Sequence, residues 1–366
     1  MHPIHDKYPK GILSSEEIIK MNNSINTAAA PALPPEAQLM QLVAGCFVSQ
    51  AVYVAAKLGI ADLVADGPKT AKYLAEKTGT DERSLYRVLR ALSSAGAFAE
   101  DGEKTFANTP MTETLRSDHP ASTRDLTIWT GEEPHWRVYG DLLYSVKTGK
   151  PAWDKVLGEP VFPYLFETNK ELGEIFNRAM TSYSHQSIHG VLAAYDFSNV
   201  GTIADVAGGH GHLLAAILRK YQQARGVLFD LPPVLAGAPK MFESYGVGDR
   251  VELVEGDFFA GIPVKADVYL LKHIIHDWYE DKCEQILRNI REVMADDGKI
   301  LIVEAVIPEG NGPHMGKIID LEMLLSPGGV ERTSTEFKSL LEDSGLKLNR
   351  IIETPSPMSI VEAVKA

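Results

Sequence analysis

The chain has 366 residues, 45% of them apolar and 23% charged, with a formal net charge of −13. That length holds one large or two medium domains, and the composition is that of a soluble globular protein. The acidic balance argues against a nucleic-acid partner, which needs a basic face. Cys46 and Cys283 lie far apart and match neither a metal-ligand spacing nor a disulfide framework, so a cytoplasmic location is expected.

Residues 1–35 read as a leader ending in the Ala/Pro run NTAAAPALPPEAQ, loosely ordered or packed on a partner. No long apolar run occurs there, and no signal peptide or membrane span is visible in the chain. A helical pattern begins at Leu39, continues through Leu42, Val43, Phe47, Val48, Ala51, Val52 and Val54, and closes near Gly59. Its apolar surface is too broad for an exposed helix, so it is expected inside its own domain or against a second subunit. A short helix is expected over 69–77, stopped by Gly79. A second runs over 82–95, capped by Asp81, with Leu85, Val88, Leu89 and Leu92 on one face. Two runs, 97–100 and 105–108, bracket the hairpin signal Asp101-Gly102. Helix, helix and β-wing make a winged-helix arrangement. It reads either as a DNA-binding unit, through Arg83, Arg87 and Arg90, or as a dimerisation module. The acidity of the chain favours dimerisation over 36–116. Residues 117–195 are mostly helical and rich in aromatics, among them Trp129 and Phe176. They are candidates to line a pocket for a flat ligand, although such side chains are more often core.

The most informative stretch is 202–231, TIADVAGGHGHLLAAILRKYQQARGVLFDL. An apolar run breaks at Gly208, Gly209 and Gly211. A helical pattern follows, with Leu213, Leu214, Ile217 and Leu218, and then a second apolar run closed by Asp230. Glycines let a ligand approach the backbone, and an acid at the second strand tip can accept hydrogen bonds from both ribose hydroxyls. A dinucleotide fingerprint would need a third glycine where Leu214 stands. Asp205, just before the glycines, would repel a pyrophosphate and suit a cation. S-adenosyl-methionine, with its ammonium and sulfonium, fits better than a nicotinamide dinucleotide.

Strand and helix patterns then alternate. Strands are expected over 251–254, 266–271 and 299–306, helices after Pro233 and over 280–294 and 333–343, and two closing strands over 346–353 and 358–364. Alternation implies a parallel sheet covered on both faces, and the closing pair without a helix between implies one antiparallel strand. Residues 196–366 therefore form a Rossmann-like α/β domain with a mostly parallel sheet. Asp205, Asp230, Asp257 and Lys272 fall at the ends of four successive strands, where ligands bind in such sheets.

His276 follows the fourth strand in LLKHIIHDWYED, Glu304 ends the fifth, and Glu331 lies in SPGGVERT. All three should face the nucleoside edge. A histidine near neutral pKa suits general-base work, and a flanking carboxylate can fix its tautomer. The competing reading is a metal site built from His273, His276 and Asp277. It lacks a third ligand at metal spacing and has Lys272 beside it.

On the motifs DVAGGHG, FDLPPV, GDFF, LKHIIHDW, ILIVEAVIPE and DLEMLLSPGGVERT, the chain from Leu39 onward resembles the two-domain S-adenosyl-methionine-dependent O-methyltransferases. These include plant caffeic acid and flavonoid enzymes, acetylserotonin O-methyltransferase and bacterial polyketide enzymes. The resemblance implies a class I methyltransferase fold with a seven-stranded sheet, and a homodimer joined through the N-terminal domain. It implies methyl transfer to a hydroxyl of a small aromatic acceptor, with S-adenosyl-homocysteine as product and no metal. Cofactor contacts would come from Asp205, Gly208, Gly209, Gly211, Asp230, Leu231, Gly256, Asp257, Phe258, Lys272 and Trp278. His276 would be the base, bracketed by Glu304 and Glu331. Met180 and Met323 would hold the acceptor, with Trp129, Phe176, Asp277 and Ser326 lining it. Ser326 stands where plant members often carry asparagine, and Ala207 and His210 replace commoner glycine-loop residues. Members of this fold that bind the cofactor without methylating, and a ligand-sensing winged-helix regulator, are the alternatives. A complete His/Glu/Glu set has no role in a regulator.

Overall fold

The computed structural model describes residues 33–366, apart from the side chains at 185 and 186. The leader expected over 1–35 lies, up to residue 32, outside the described residues. The chain divides into two compact units, one ending at Val48 and the other running Ser49–Ala366.

Helix α1, Pro35–Lys57, opens with proline, whose missing N–H costs nothing in a first turn, and carries Glu36 and Lys57 at the ends that suit its dipole. Ala55 and Ala56 are buried, whereas Leu42 and Phe47 are 78% and 76% exposed, and Leu39, Met40, Val43 and Val48 are exposed with them. By length and composition alone, α1 is long and apolar enough to cross a membrane, although no span is expected from its sequence.

The following module is built as the pattern suggests. Strand β1 (Lys69–Thr70) leads into α2 (Ala71–Thr78), which ends at Gly79 in the left-handed region. Asp81 Oδ1 then accepts from Ser84 N at 2.8 Å and starts α3, Glu82–Ser94. Leu85, Leu89 and Leu92 recur at helical spacing and bury against Leu74, Phe98 and Phe106. Strands β2 (Phe98–Glu100) and β3 (Thr105–Asn108) form an antiparallel hairpin, in the sheet order β1-β3-β2.

Short helices then lead to α4, Lys170–Ala194, whose cap is the Asn169 side-chain Oδ1 accepting from Leu172 N at 3.1 Å. The seven-stranded sheet follows. Its strands are β4 (Thr202–Val206), β5 (Arg225–Asp230), β6 (Val251–Glu255), β7 (Val268–Lys272), β8 (Lys299–Glu304), β9 (Leu346–Glu353) and β10 (Ser359–Lys365). They lie in the order β9-β10-β8-β7-β4-β5-β6, with β10 antiparallel to both neighbours and the others parallel. Helix α5 (His212–Lys220) buries Leu213, Leu214, Ile217 and Leu218 on one face together with the C-terminal part of α4. Helices α6 (Glu280–Val293) and α8 (Ser334–Asp343) cover the other through Ile286, Leu287, Ile290, Phe337 and Leu341. The strand expected to reach residue 306 ends at Glu304. Val306-Ile307 pairs instead with Arg332-Thr333, which brings the 330s loop to the sheet edge.

Candidate active site

Strand β4 delivers Asp205 to the sheet edge, and the chain turns through Ala207 (φ 54°), Gly209 and Gly211 into α5. A Cβ at Gly208 would lie 2.4 Å from the Asp205 carboxyl carbon, so only glycine fits there. Asp230, at the tip of β5, accepts from Gly209 N at 2.8 Å and from Leu231 N at 2.7 Å, which fastens the glycine loop to the second strand. Burial raises its pKa, against these two N–H donors. Leu231 is half exposed beside it. Asp205 is buried, and its Oδ1 has no hydrogen-bond partner. Burial pushes it up to about 7, against the pull of Lys272. Lys272 ends β7 and donates to Ser184 Oγ of α4 at 2.8 Å. Burial draws it down to about 8, against Asp205. A buried carboxylate with an unused oxygen is rare without a ligand to fill it, and this one would welcome a cation.

Beyond Asp230, Gly256 N donates to the Asp230 carbonyl at 3.1 Å, and Asp257 Oδ1 accepts from Phe259 N at 2.8 Å. Phe258, Phe259 and Trp278 meet edge to face with centroids 4.6, 5.0 and 6.3 Å apart, an aromatic wall next to the acid. The set of orphaned acid, glycine cradle, strand-tip acid and aromatic wall fits a nucleoside carrying a cationic amino-acid tail.

A cluster of one buried histidine and three carboxylates stands after β7. His273 (φ 57°) turns the chain into the short helix Ile275–Asp277. Glu304 Oε1 accepts from the backbone N–H of Ile274, Ile275 and His276 at 3.1, 2.7 and 3.1 Å. Through this oxygen Glu304 acts on the backbone turn before the imidazole, and its charge also favours the protonated ring. Glu304 holds the turn that presents the ring, because β8 stops where its carboxylate meets three converging amides. Glu331 Oε1 lies 2.7 Å from His276 Nδ1, and Asp277 Oδ1 3.6 Å from Nε2. Asp277, read as a substrate contact, thus stands beside the His276 ring. Burial disfavours the imidazolium, but Asp277, Glu331 and Glu304 prevail and push His276 up to about 10. Burial pushes Asp277 up to about 6 and Glu304 up to about 7, with His276 opposing both shifts.

Four hydrogen bonds fix the loop that carries Glu331. Val330 N donates to the His276 carbonyl and Glu331 N to Asp320 Oδ1, each at 2.8 Å. The buried Arg332 guanidinium donates to the carbonyls of Ile275 and Trp278 at 3.1 and 2.9 Å. A Cβ on Gly329 would sit 1.8 Å from the His276 carbonyl oxygen, so this approach of two backbones requires glycine. With Nδ1–H donating to Glu331, Nε2 is the ring atom left to exchange a proton.

The residues expected to hold the acceptor divide. Phe176 and Met180 of α4 join the helical apolar cluster. Met323 is buried on α7, Gly316–Leu325. Trp129 is buried within that cluster, stacked on His135 at 4.5 Å, and Ser326 commits its hydroxyl to Glu322 at 2.9 Å. That second polar network was missed. His135 Nε2 lies 2.9 Å from Glu322 Oε1, and Tyr139 donates to Oε2 at 2.6 Å. Burial would raise Glu322, but His135 and the two hydroxyls hold it down to about 2. Among the described residues, no three His, Cys, Asp or Glu side chains gather to hold a metal ion.

The O-methyltransferase domain family matches residues 139–347, and the O-methyltransferase dimerisation domain family matches 40–118. The chain is 47% identical to phenazine O-methyltransferase PhzM of Lysobacter antibioticus, over 91% of this chain and 97% of that protein. It is 36% identical to 8-amino-8-demethylriboflavin N,N-dimethyltransferase of Streptomyces davaonensis, over 86% and 91%. The crystal structure of CalO1, a methyltransferase of calicheamicin biosynthesis with S-adenosyl-homocysteine bound, superposes with a TM-score of 0.82 at 34% identity, covering 92% of this chain and all of that one.

Proposed function

Because the chain belongs to the S-adenosyl-methionine-dependent O-methyltransferase family, we propose that it methylates a hydroxyl of a small aromatic acceptor, phenolic or polyketide-like, with His276 as general base. One observation carries this reading: a buried histidine, held through Nδ1 by Glu331 at 2.7 Å, stands at the same sheet edge as Asp205, Asp230 and Lys272. When bound, the cofactor supplies an electrophilic methyl group on a sulfonium.

The chain's own residues do the rest. The glycine loop and Asp205 would hold the methionine part, Asp230 the ribose, and Asp257, Phe258 and Trp278 the adenine. Met180 and Met323 would grip the flat acceptor. His276 Nε2 takes the phenol proton while Glu331 and Asp277 stabilise the imidazolium. A phenol has a pKa near 10, and His276 is pushed up to about 10. At pH 7 an imidazole held that high rests protonated, so the form that can take the phenol proton is the minor one and grows as pH rises toward 10. Orientation of the acceptor oxygen supplies the remaining acceleration.

Transfer to an amine nitrogen is the second reading, favoured by the dimethyltransferase relative. An amine attacks with its own lone pair and needs no prior deprotonation. The test is a mass-detected methyl-transfer screen of matched hydroxyl and amine acceptors, such as 1-naphthol and 1-naphthylamine. Methylation of the amines alone would overturn the hydroxyl assignment. We also propose a homodimer, because α1 leaves Leu42, Val43 and Phe47 exposed within the matched dimerisation domain.

A further inference from the structure

Two polar side chains beside the base have no part in the scheme above. Tyr183 of α4 and His273, the first residue after β7, each bury a polar atom, the phenol oxygen and Nε2, that has no hydrogen-bond partner. Buried polar atoms are nearly always paired, so two such atoms together mark a place that a bound molecule completes. Their rings stand 5.2 Å apart, and the His273 ring stands 5.3 Å from that of His276, which makes a row ending at the base. Ser184, next to Tyr183, takes the Lys272 ammonium, so the row begins on the cofactor side.

His273 holds its place at a cost. Its φ of 57° is in the left-handed region, where a β-carbon is strained. The turn is kept there by the three amides that donate to Glu304. Both side chains are uncharged. Burial, with Lys272 and His276 nearby, holds His273 well below its usual pKa, and burial with Glu331 raises Tyr183. A neutral phenol and a neutral imidazole can each donate and accept.

We propose that Tyr183 and His273 read a second polar group of the acceptor, an uncharged hydroxyl, carbonyl or ring nitrogen adjacent to the hydroxyl that is methylated. The inference rests on the reading above in placing the reacting oxygen at His276. With that oxygen fixed, the neighbouring substituent of a flat ring is the part that meets the row. An anionic substituent is disfavoured there by Glu331 and Glu304.

The test uses the full chain saturated with S-adenosyl-homocysteine, titrated calorimetrically with 2,3-dihydroxynaphthalene and with 2-naphthol, alongside turnover of both with S-adenosyl-methionine. The diol should bind at least about tenfold more tightly, the worth of one or two neutral hydrogen bonds. Tyr183→Phe should bring that ratio close to one. His273→Asn, which tolerates the left-handed backbone, should do the same. Equal affinities in the wild type, failure of the diol to bind, or an unchanged ratio in both variants would mean that the two atoms are met by water only, and would overturn the inference. Diol preference in binding without any methyl transfer would keep it and remove the proposed reaction. Transfer to both naphthols without preference would do the reverse.

Discussion

Replacing Glu331 by Gln isolates the charge of the His276 partner while keeping its size. The amide carbonyl can still accept from Nδ1–H at the 2.7 Å position. A hydrogen bond to a charged group is worth about 1.5–3 kcal/mol and a neutral one about 0.5–1.5 kcal/mol, so the substitution removes roughly 1–2 kcal/mol from the imidazolium. At 1.36 kcal/mol per unit that is about one pKa unit. Asp277 and Glu304 stay in place, so His276 should fall from about 10 only to roughly 9. Two measurements read the shift. The acid limb of kcat/KM against pH should move down by about one unit, and the imidazole resonance should titrate with it. The sign for stability follows from linkage. A histidine whose pKa is raised on folding stabilises fully below its unfolded value near 6.5, and that stability is lost as pH rises through about 10. The Tm deficit of Glu331→Gln should therefore be largest near pH 6 and shrink toward pH 10. An acid limb that stays in place or moves upward would refute the dyad as the origin of the shift.

His276→Ala should lower kcat by about 10²–10⁴-fold with cofactor affinity retained, and should recover as pH rises and phenolate forms in solution. A wild-type rate on a phenol would remove the base. Asp205→Asn should stabilise the free protein above pH 7. Burial raises the Asp205 pKa to about 7, so its folded-state cost grows as pH rises from 3.8 to 7. The same substitution should weaken cofactor binding, and unchanged affinity by calorimetry counts against a cation at that oxygen. Asp230→Ala should cost about 1–3 kcal/mol of cofactor affinity through unpaired hydroxyls. Light scattering should show a dimer at micromolar concentration that survives truncation before Leu39 better than truncation to Ile60. A monomer of the full chain would end that proposal.

The sheet was legible because its strands are continuous apolar runs closed by charged residues, and Asp205, Asp230 and Lys272 fall at one edge as that pattern requires. His276 and Glu331 were legible as types in a motif, and the structure joins them across 55 positions. The role of Glu304 was not, because its partners are backbone amides that carry no residue identity. His135 and Glu322 meet across 187 positions, and neither sits in a local pattern that announces the other. The burial of Arg332 appears only when the folded chain closes the carbonyls of Ile275 and Trp278 around it. The end of β8 at Glu304 likewise depends on a pairing with the 330s loop that periodicity does not contain.

The Glu304 contacts amount to an anion receptor whose guest is tethered to the host. Three successive N–H groups converge on one carboxylate oxygen, the concave arrangement that binds free anions elsewhere. Glu304→Ala cuts the tether and leaves the receptor. Acetate or formate added from solution has the right charge and geometry to re-enter it. Activity lost in that variant should return with a saturable dependence on such carboxylates, and bulkier anions should fail because the space left is that of one side chain.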